Sequence, residues 1–264
     1  MNAELLLMFI LSCDRAYLFA HPEQKLSSEE GWRYQSALAE RARGVPAQYI
    51  TGHQEFWGMD LIVSPAVLIP RPETEHLVET VLSLSAAEVS QRSPLNPFRL
   101  VDVGTGSGCI ALALVKELPQ VEVLATDLSP TALEIARANA ARLQLEQRIQ
   151  FQEADLLQGL DGEFDVVVSN PPYVGESEED TVQLEVRKFE PRSAVFAGPT
   201  GTEVIERLIS EARAALHPGG WLVMEISGMI VERVRALITG WQEVEIIPDL
   251  QSIPRVVRAR KPFS

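Results

Sequence analysis

Cysteine is almost missing from this chain: Cys13 and Cys109 are the two in 264 residues. Two cysteines cannot build a disulfide framework, and a chain of this length buries a core without one. A reducing compartment, the cytoplasm, is therefore expected. Membrane-length apolar runs are also lacking. Leu5 to Leu11 is seven residues, against about 20 needed to cross a bilayer. It resembles the core of a signal peptide, but Glu4 precedes it, no Lys or Arg does, and Asp14-Arg15 follow at once. A buried helix is expected there instead. Positive charge is scarce: 23 Lys+Arg against 37 Asp+Glu leave a net charge of −14. Such a chain repels polyanions unless its basic groups cluster. Histidine is limited to His21, His53, His76 and His217. None lies at metal-ligand spacing from another or from a cysteine, so no metal site is expected. No Gly-x-Ser-x-Gly elbow and no P-loop occurs.

What is present is an ordinary globular balance, 46% hydrophobic and 23% charged, which excludes a disordered or fibrous chain. The first fifty residues read as helices. Ser27 with Glu30 forms a capping-box pattern, and helical spacing continues to Gly44. A turn is expected over Pro46 to Ile50. A short hairpin around Gly58 follows, from Glu55 to Val63. Ile69 to Glu73 is too proline-rich for a regular element, and Thr74 to Val89 is helical in period. Gln91 to Pro97 is the one linker-like stretch. From Arg99 onward short β-branched strands alternate with helices, which argues a mostly parallel sheet covered on both faces. Val244 to Ile247 and Val256 to Ala259 have no helix between them and are expected to pair as an antiparallel hairpin.

Asp102-Val103-Gly104-Thr105-Gly106-Ser107-Gly108 follows a strand and opens a helix. Glycines there let the backbone turn sharply and approach a ligand, and ligands bind at this end of an open α/β sheet. Asp127 ends the next strand, 23 residues after Gly104. A carboxylate there accepts hydrogen bonds from both ribose hydroxyls and repels a 2′-phosphate. The bland alternative is a tight turn and a capping acid. The Asp-x-Gly-x-Gly-x-Gly form favours S-adenosylmethionine over NAD. Asp155 is placed either near the adenine or in a surface loop, and Leu156 beside it offers apolar packing. Cys109 reads as a small buried residue.

Asn170-Pro171-Pro172-Tyr173 follows the Phe164 to Val168 strand. The prolines fix their own φ, donate no N–H, and push Asn170 toward an extended backbone. The Asn170 side-chain carbonyl and the Pro171 backbone carbonyl can each accept one N–H of a planar –NH₂ group. Tyr173 can stack on that group and favour a nearby sulfonium. An amide nitrogen is a poor nucleophile, so holding both its N–H groups is catalysis mainly by positioning.

The glycine loop and Asn170-Pro-Pro-Tyr173 resemble class I methyltransferases that act on planar amino groups. Together with Ile69-Pro-Arg-Pro-Glu-Thr-Glu75, Glu190-Pro191, the Gly219 to Ile226 strand and Arg255 to Arg260, the chain resembles the PrmC (HemK) family over nearly its whole length. That family methylates the side-chain amide nitrogen (N5) of the glutamine in the Gly-Gly-Gln motif of peptide chain release factors. The resemblance implies a class I S-adenosylmethionine-dependent methyltransferase, a Rossmann-like seven-stranded α/β sheet with its last strand antiparallel. It implies a helical substrate-docking domain over 1–52, a β-hairpin linker over 53–72 and the methyltransferase domain over 73–264. On it, Asp102, Gly104, Thr105, Gly106, Ser107, Gly108, Asp127, Asp155, Leu156 and Asn170 hold the cofactor, which leaves as S-adenosyl-L-homocysteine. Asn170, Pro171, Pro172 and Tyr173 hold the substrate amide and carry catalysis. Arg71 and Glu73 stand either at the site mouth, binding substrate, or as a buried ion pair between domains.

Two departures stand out. The match begins abruptly at Ala3-Glu4-Leu5, which leaves open a missing first helix or a misassigned start. Glu225 to Gly228 and Ser252 to Pro254 lack the family's glycines and read as structural turns. Glu176 to Asp180 carries four acids, read either as a mobile surface loop or as a lid beside Tyr173 that attracts a basic partner. Asp161 to Asp165 is expected to be a solvated loop and strand start. The Asn-Pro-Pro-Tyr motif is shared with adenine N6 and guanine N2 methyltransferases acting on nucleic acid. That alternative finds its support in Arg255, Arg258, Arg260 and Lys261, and net −14 counts against it. A non-catalytic scaffold is the third reading. The expected protein is a monomer with release factors as partners, without membrane or nucleic acid.

Overall fold

The N-terminal helices form because caps fix where each begins. The computed structural model describes residues 2–89, 96–160 and 162–263. Helix α1 (Asn2–Leu11) buries Leu6 and Ile10, one face of the helix. Leu5 and Phe9 remain exposed, so the Leu5 to Leu11 run is half-buried rather than buried. Asp14 caps α2 (Arg15–Ala20) by accepting the Tyr17 N–H at 2.7 Å. The capping box of α3 (Ser28–Ala42) is complete. Ser27 Oγ accepts the Glu30 N–H at 3.2 Å, and the Glu30 carboxylate accepts the Ser27 N–H at 2.7 Å. Where a turn is expected after Pro46, a short helix α4 (Ala47–Thr51) forms. Pro46 enters it and Gly52 leaves it in the left-handed region at φ 76°, a Pro-start, Gly-stop frame that admits one helical turn.

Strands β1 (His53–Phe56) and β2 (Met59–Ile62) pair across Trp57-Gly58, both at positive φ (54° and 65°). Two positive φ values match the right-handed twist of a tight hairpin. Its apolar side, Phe56, Met59 and Leu61, sinks into the main core. The proline-rich segment ends in one 3₁₀ turn, Pro72–Thr74, because Pro72 is tolerated in a first turn. Helix α5 (Glu75–Val89) follows. The linker-like stretch from Gln91 lies outside the described residues up to Asn96.

Strands β3 (Phe98–Val103), β4 (Val121–Asp127), β5 (Ile149–Glu153) and β6 (Phe164–Ser169) alternate with α6 (Cys109–Glu117) and α7 (Pro130–Arg142). Then come β7 (Val174–Gly175), α8 (Leu184–Phe189), α9 (Arg192–Val195) and β8 (Phe196–Gly198), short elements that the sequence pattern does not announce. Helix α10 (Glu203–Ala215), β9 (Leu216–Glu225), α11 (Val231–Leu237), β10 (Gln242–Pro248) and β11 (Pro254–Arg260) complete the fold. Strand β9 begins at Leu216, three residues before the Gly219 to Ile226 segment expected from sequence, with a register shift absorbing Pro218.

The sheet order is β10-β11-β9-β6-β3-β4-β5, with β11 antiparallel to both neighbours. From β3 the chain winds one way to β4 and β5, and from β6 it winds the other way. Successive residues of the central strands feed opposite faces, as pleating requires. Leu100, Val166 and Val168 join one core cluster, while Val101, Val103 and Val167 join the other. Asp165, expected in a solvated strand start, is buried. It accepts the Arg99 N–H at 2.7 Å and bonds His217 Nε2 at 2.7 Å. Among the described residues no helix is long and apolar enough to cross a membrane.

One buried side chain ties the hairpin to the sheet's ligand end. Asn139 of α7, wholly buried, accepts the Ile62 N–H at 2.6 Å and donates to Ile62 O at 3.0 Å and Ser107 O at 2.9 Å. Removing it strands three backbone groups, the buried Ser107 carbonyl and the part-buried Ile62 N–H and C=O, at about 1–3 kcal/mol for each buried group left unpaired. Asn139→Ala is expected to lower the unfolding free energy by about 2–4 kcal/mol in a urea titration. A loss under about 0.5 kcal/mol, the scatter of surface changes, would overturn this account.

Candidate active site

The three loop glycines do different work. Gly104, Gly106 and Gly108 all take positive φ (72°, 56° and 83°). A Cβ on Gly104 or Gly106 would meet no atom within 4 Å, so both open onto free space. A Cβ on Gly108 would press Leu112 at 3.1 Å and Ala136 at 3.3 Å, so this glycine lets α6 pack on α7. Asp102 lies beneath the loop. Its Oδ2 accepts the Thr105 hydroxyl at 2.6 Å and the Ala111 N–H at 3.2 Å. Burial pushes its carboxyl up to about 7, against the pull of those two hydrogen bonds.

Above the loop is a cavity of about 670 Å³. Gly104, Thr105, Gly106, Ser107, Asp127, Asp155, Leu156, Asn170, Pro171, Pro172 and Arg71 line it. Asp102, Gly108, Glu73 and Tyr173 do not. Each exception has a physical reason. Asp102 is needed under the loop, and Gly108 is a packing glycine. Glu73 sits on the 3₁₀ turn whose Thr74 faces the cavity instead. Tyr173 packs its ring against the second core cluster and donates its hydroxyl toward Glu225 Oε1 at 3.4 Å. Burial raises that phenol well above its ordinary value.

Asp127 closes the loop against β4. Its Oδ2 accepts the Gly106 N–H at 2.9 Å and its Oδ1 the Ser129 N–H at 2.8 Å. Burial lifts its pKa despite these bonds. Asp155 is ion-paired with Arg207 at 2.8 Å, at the solvent side of the wall. The exposed Leu128 side chain adds an apolar surface there. Arg71 pairs with the buried Glu190, whose other oxygen accepts the Ile69 N–H at 3.2 Å. The buried pair therefore joins Arg71 to Glu190 and not to Glu73. Cys109 lines the wall with a thiol that burial pushes up to about 12, too high to act as a nucleophile.

At the far end, Asn170 Nδ2 donates to Thr74 Oγ1 at 3.2 Å, and Thr74 Oγ1 donates to Glu225 Oε2 at 2.7 Å. Thr74, Glu190 and Glu225 lie in segments that carry the family resemblance, but the motif reading gives them no role in the site. Glu225 is read from sequence as part of a structural turn, yet it is the last residue of β9 and buried. The available signal was an acid closing the apolar run Trp221 to Met224. Glu176–Thr181 is a 3₁₀ segment rather than an open loop. Glu179 is paired with Arg192 at 2.8 Å and Asp180 with Arg187 at 2.6 Å. The tail arginines are also paired: Arg255 with Asp249 at 2.9 Å, Arg258 with Glu245 at 2.5 Å, Arg260 with Glu243 at 2.8 Å. The closing hairpin thus carries neutralised pairs.

Because folding raises the proton affinity of Asp102, that carboxyl favours the folded state while protonated. The preference is lost as pH climbs from its ordinary 3.8 through about 7. Asp102→Asn keeps the acceptor for Thr105 and Ala111 and stays neutral. It is expected to remove part of the decline in unfolding free energy over that range. Identical pH slopes for variant and parent in denaturant titrations would refute this.

The comparisons with known proteins converge. A model of the Methyltransferase small domain matches residues 87–188, and one of the PrmC N-terminal domain matches residues 1–52. The chain is 54% identical to the release factor glutamine methyltransferase of Koribacter versatilis, over 100% of this chain and 92% of that protein. It is 38% identical to the release factor glutamine methyltransferase of Rhodopirellula baltica, over 99% of this chain and 89% of that one. In fold it is similar to a methyltransferase from Pyrococcus furiosus, with a TM-score of 0.54 at 22% identity, covering 89% of this chain and 100% of that one. With identity of this level along its full length, the chain belongs to the release factor glutamine methyltransferase (PrmC/HemK) family.

Proposed function

We propose that this protein methylates the side-chain amide nitrogen (N5) of the glutamine in the Gly-Gly-Gln motif of peptide chain release factors, using S-adenosylmethionine. The observation that carries the reading is the placement of Asn170 and Pro171 on the wall of the cavity that the glycine loop floors. Asn170 and Pro171 line the same space as the Cβ-free cradle of Gly104 and Gly106. Gly104 and Gly106 leave room for the methionine part of the cofactor, and Asp127 lines the same cavity as an acceptor for a ribose. Leu128 and Leu156 offer apolar surface to an adenine. When bound, S-adenosylmethionine supplies an electrophilic methyl on a sulfonium and leaves as S-adenosyl-L-homocysteine.

The chain's own work is positioning. Asn170 Oδ1 and the Pro171 carbonyl each accept one N–H of the substrate amide. Holding both fixes the plane of the amide and directs its nitrogen at the donor methyl. Both hydrogen bonds strengthen as positive charge grows on that nitrogen, which gives up one of its two protons to solvent as the neutral methylamide forms. Pro172 stiffens the loop, and Tyr173 anchors its end from behind rather than by stacking on the substrate. Arg71, held by Glu190, stands at the substrate side. We assign residues 1–52 to docking of the release factor, 53–72 to the connecting hairpin and 73–264 to methyl transfer. The net charge of −14 suits a partner with basic surfaces, and such a partner works in the cytoplasm.

Incubation with labelled S-adenosylmethionine and either a release factor or RNA tests the reading. Label on a glutamine of the release factor is expected; label on RNA alone would replace it with the nucleic-acid alternative. Asn170→Ala is expected to lower transfer by at least about 100-fold while cofactor binding survives in calorimetry. Full activity would remove Asn170 from its role. Asp127→Ala is expected to weaken cofactor affinity by about 10- to 100-fold, the worth of a charged hydrogen bond. Unchanged affinity would take Asp127 out of the site.

A further inference from the structure

We propose that Glu225 is a positioning residue for methyl transfer: through Thr74 it sets the Asn170 amide with its oxygen toward the substrate. The inference rests on the role given to Asn170 above and explains how that role is secured.

An asparagine amide has two faces that are nearly equal in shape and opposite in chemistry. One end accepts and the other donates. A site that needs the acceptor must decide which end is presented, and Asn170 alone cannot. The decision lies two residues away. Glu225, at the end of β9, and Thr74, on the 3₁₀ turn, are both about 2% exposed. The Thr74 hydroxyl has one hydrogen, and the 2.7 Å bond to Glu225 Oε2 uses it. What Thr74 Oγ1 still offers is lone pairs. The 3.2 Å contact from Asn170 is therefore the –NH₂ end, and Oδ1 turns the other way, into the cavity that Asn170 lines.

Turning the amide over would set two acceptors against each other. Relieving that clash would take the Thr74 hydrogen away from Glu225 and leave a buried carboxylate short of a donor. Both penalties act in a buried site, where an unpaired polar group is expensive. The same carboxylate receives the Tyr173 hydroxyl on its other oxygen at 3.4 Å. One acid thus holds both ends of the Asn170–Tyr173 element. Arg255 offsets part of the cost of burying its charge, and Glu73 adds to it.

Thr74→Val removes the hydroxyl at equal size, and Thr74→Ser keeps it. Thr74→Val is expected to lower kcat by about 10- to 100-fold while KM for the release factor and cofactor affinity stay within about threefold. Thr74→Ser is expected to recover kcat to within about threefold of the parent. Wild-type kcat in Thr74→Val, or an equal loss in Thr74→Ser, would overturn the proposal. Neutron diffraction on the unmodified protein reads the orientation without any variant. Deuterons on the Asn170 atom facing Thr74 support it, and a bare oxygen there refutes it. That measurement is independent of methylation, so failure of the wild-type protein to label a release factor would count against the proposed function alone.

Discussion

The site exists because β3 and β6 lie side by side and parallel while the chain leaves them in opposite directions. Val103 pairs with Ser169 at the very ends of these strands. The loops that follow must part, since one leads to α6 on one face and the other to the elements before α10. A crevice opens between them by topology alone. Everything with chemical character gathers at its rim: the glycine loop from β3, Asn170 from β6, Asp127 from β4 and Glu225 from β9. The all-buried pattern of β6 and the nearly all-buried pattern of β3 make the two walls rigid.

Much of this was legible beforehand, for identifiable reasons. Alternating strands and helices carry strong periodicities, so a mostly parallel sheet closed by an antiparallel hairpin is legible from Arg99 to Ala259. Glycine and proline announce backbone geometry directly, which is why the two motif loops could be read. What escaped was set by tertiary contact. The short elements between Val174 and Gly198 have too few residues for a period. Thr74 and Glu225 stand 151 positions apart, and nothing local marks them as partners. Tyr173 was expected on the substrate, because an aromatic at a motif end offers a flat face. Its ring packs against the second core cluster, with a buried acid for its hydroxyl.

Buried and half-buried acids recur through the site, and each is used to hold another group still. Asp102 fixes the loop from below, Asp127 closes it against β4, Glu190 restrains Arg71, and Glu225 restrains Thr74 and Tyr173. The groups left to meet ligands are largely neutral: backbone edges, an amide oxygen and a proline carbonyl. This division suits a reaction whose nucleophile is an uncharged amide. Formal charge in the framework fixes geometry, and the end of the cavity that receives the substrate amide offers it neutral acceptors.

The Asn139 bridge also changes how the N-terminal region is connected. Along the chain, 45 residues separate Ile62 from Ser107. Through space, a single carboxamide spans them, bonded to both backbones. The hairpin is in turn latched to Gly52 at the end of α4 by the Val63 N–H at 2.9 Å. The helices that precede the hairpin therefore reach the cofactor loop by a shortcut of one strand and one side chain. A partner seated on those helices presses on a frame whose next strut is the floor of the catalytic cavity.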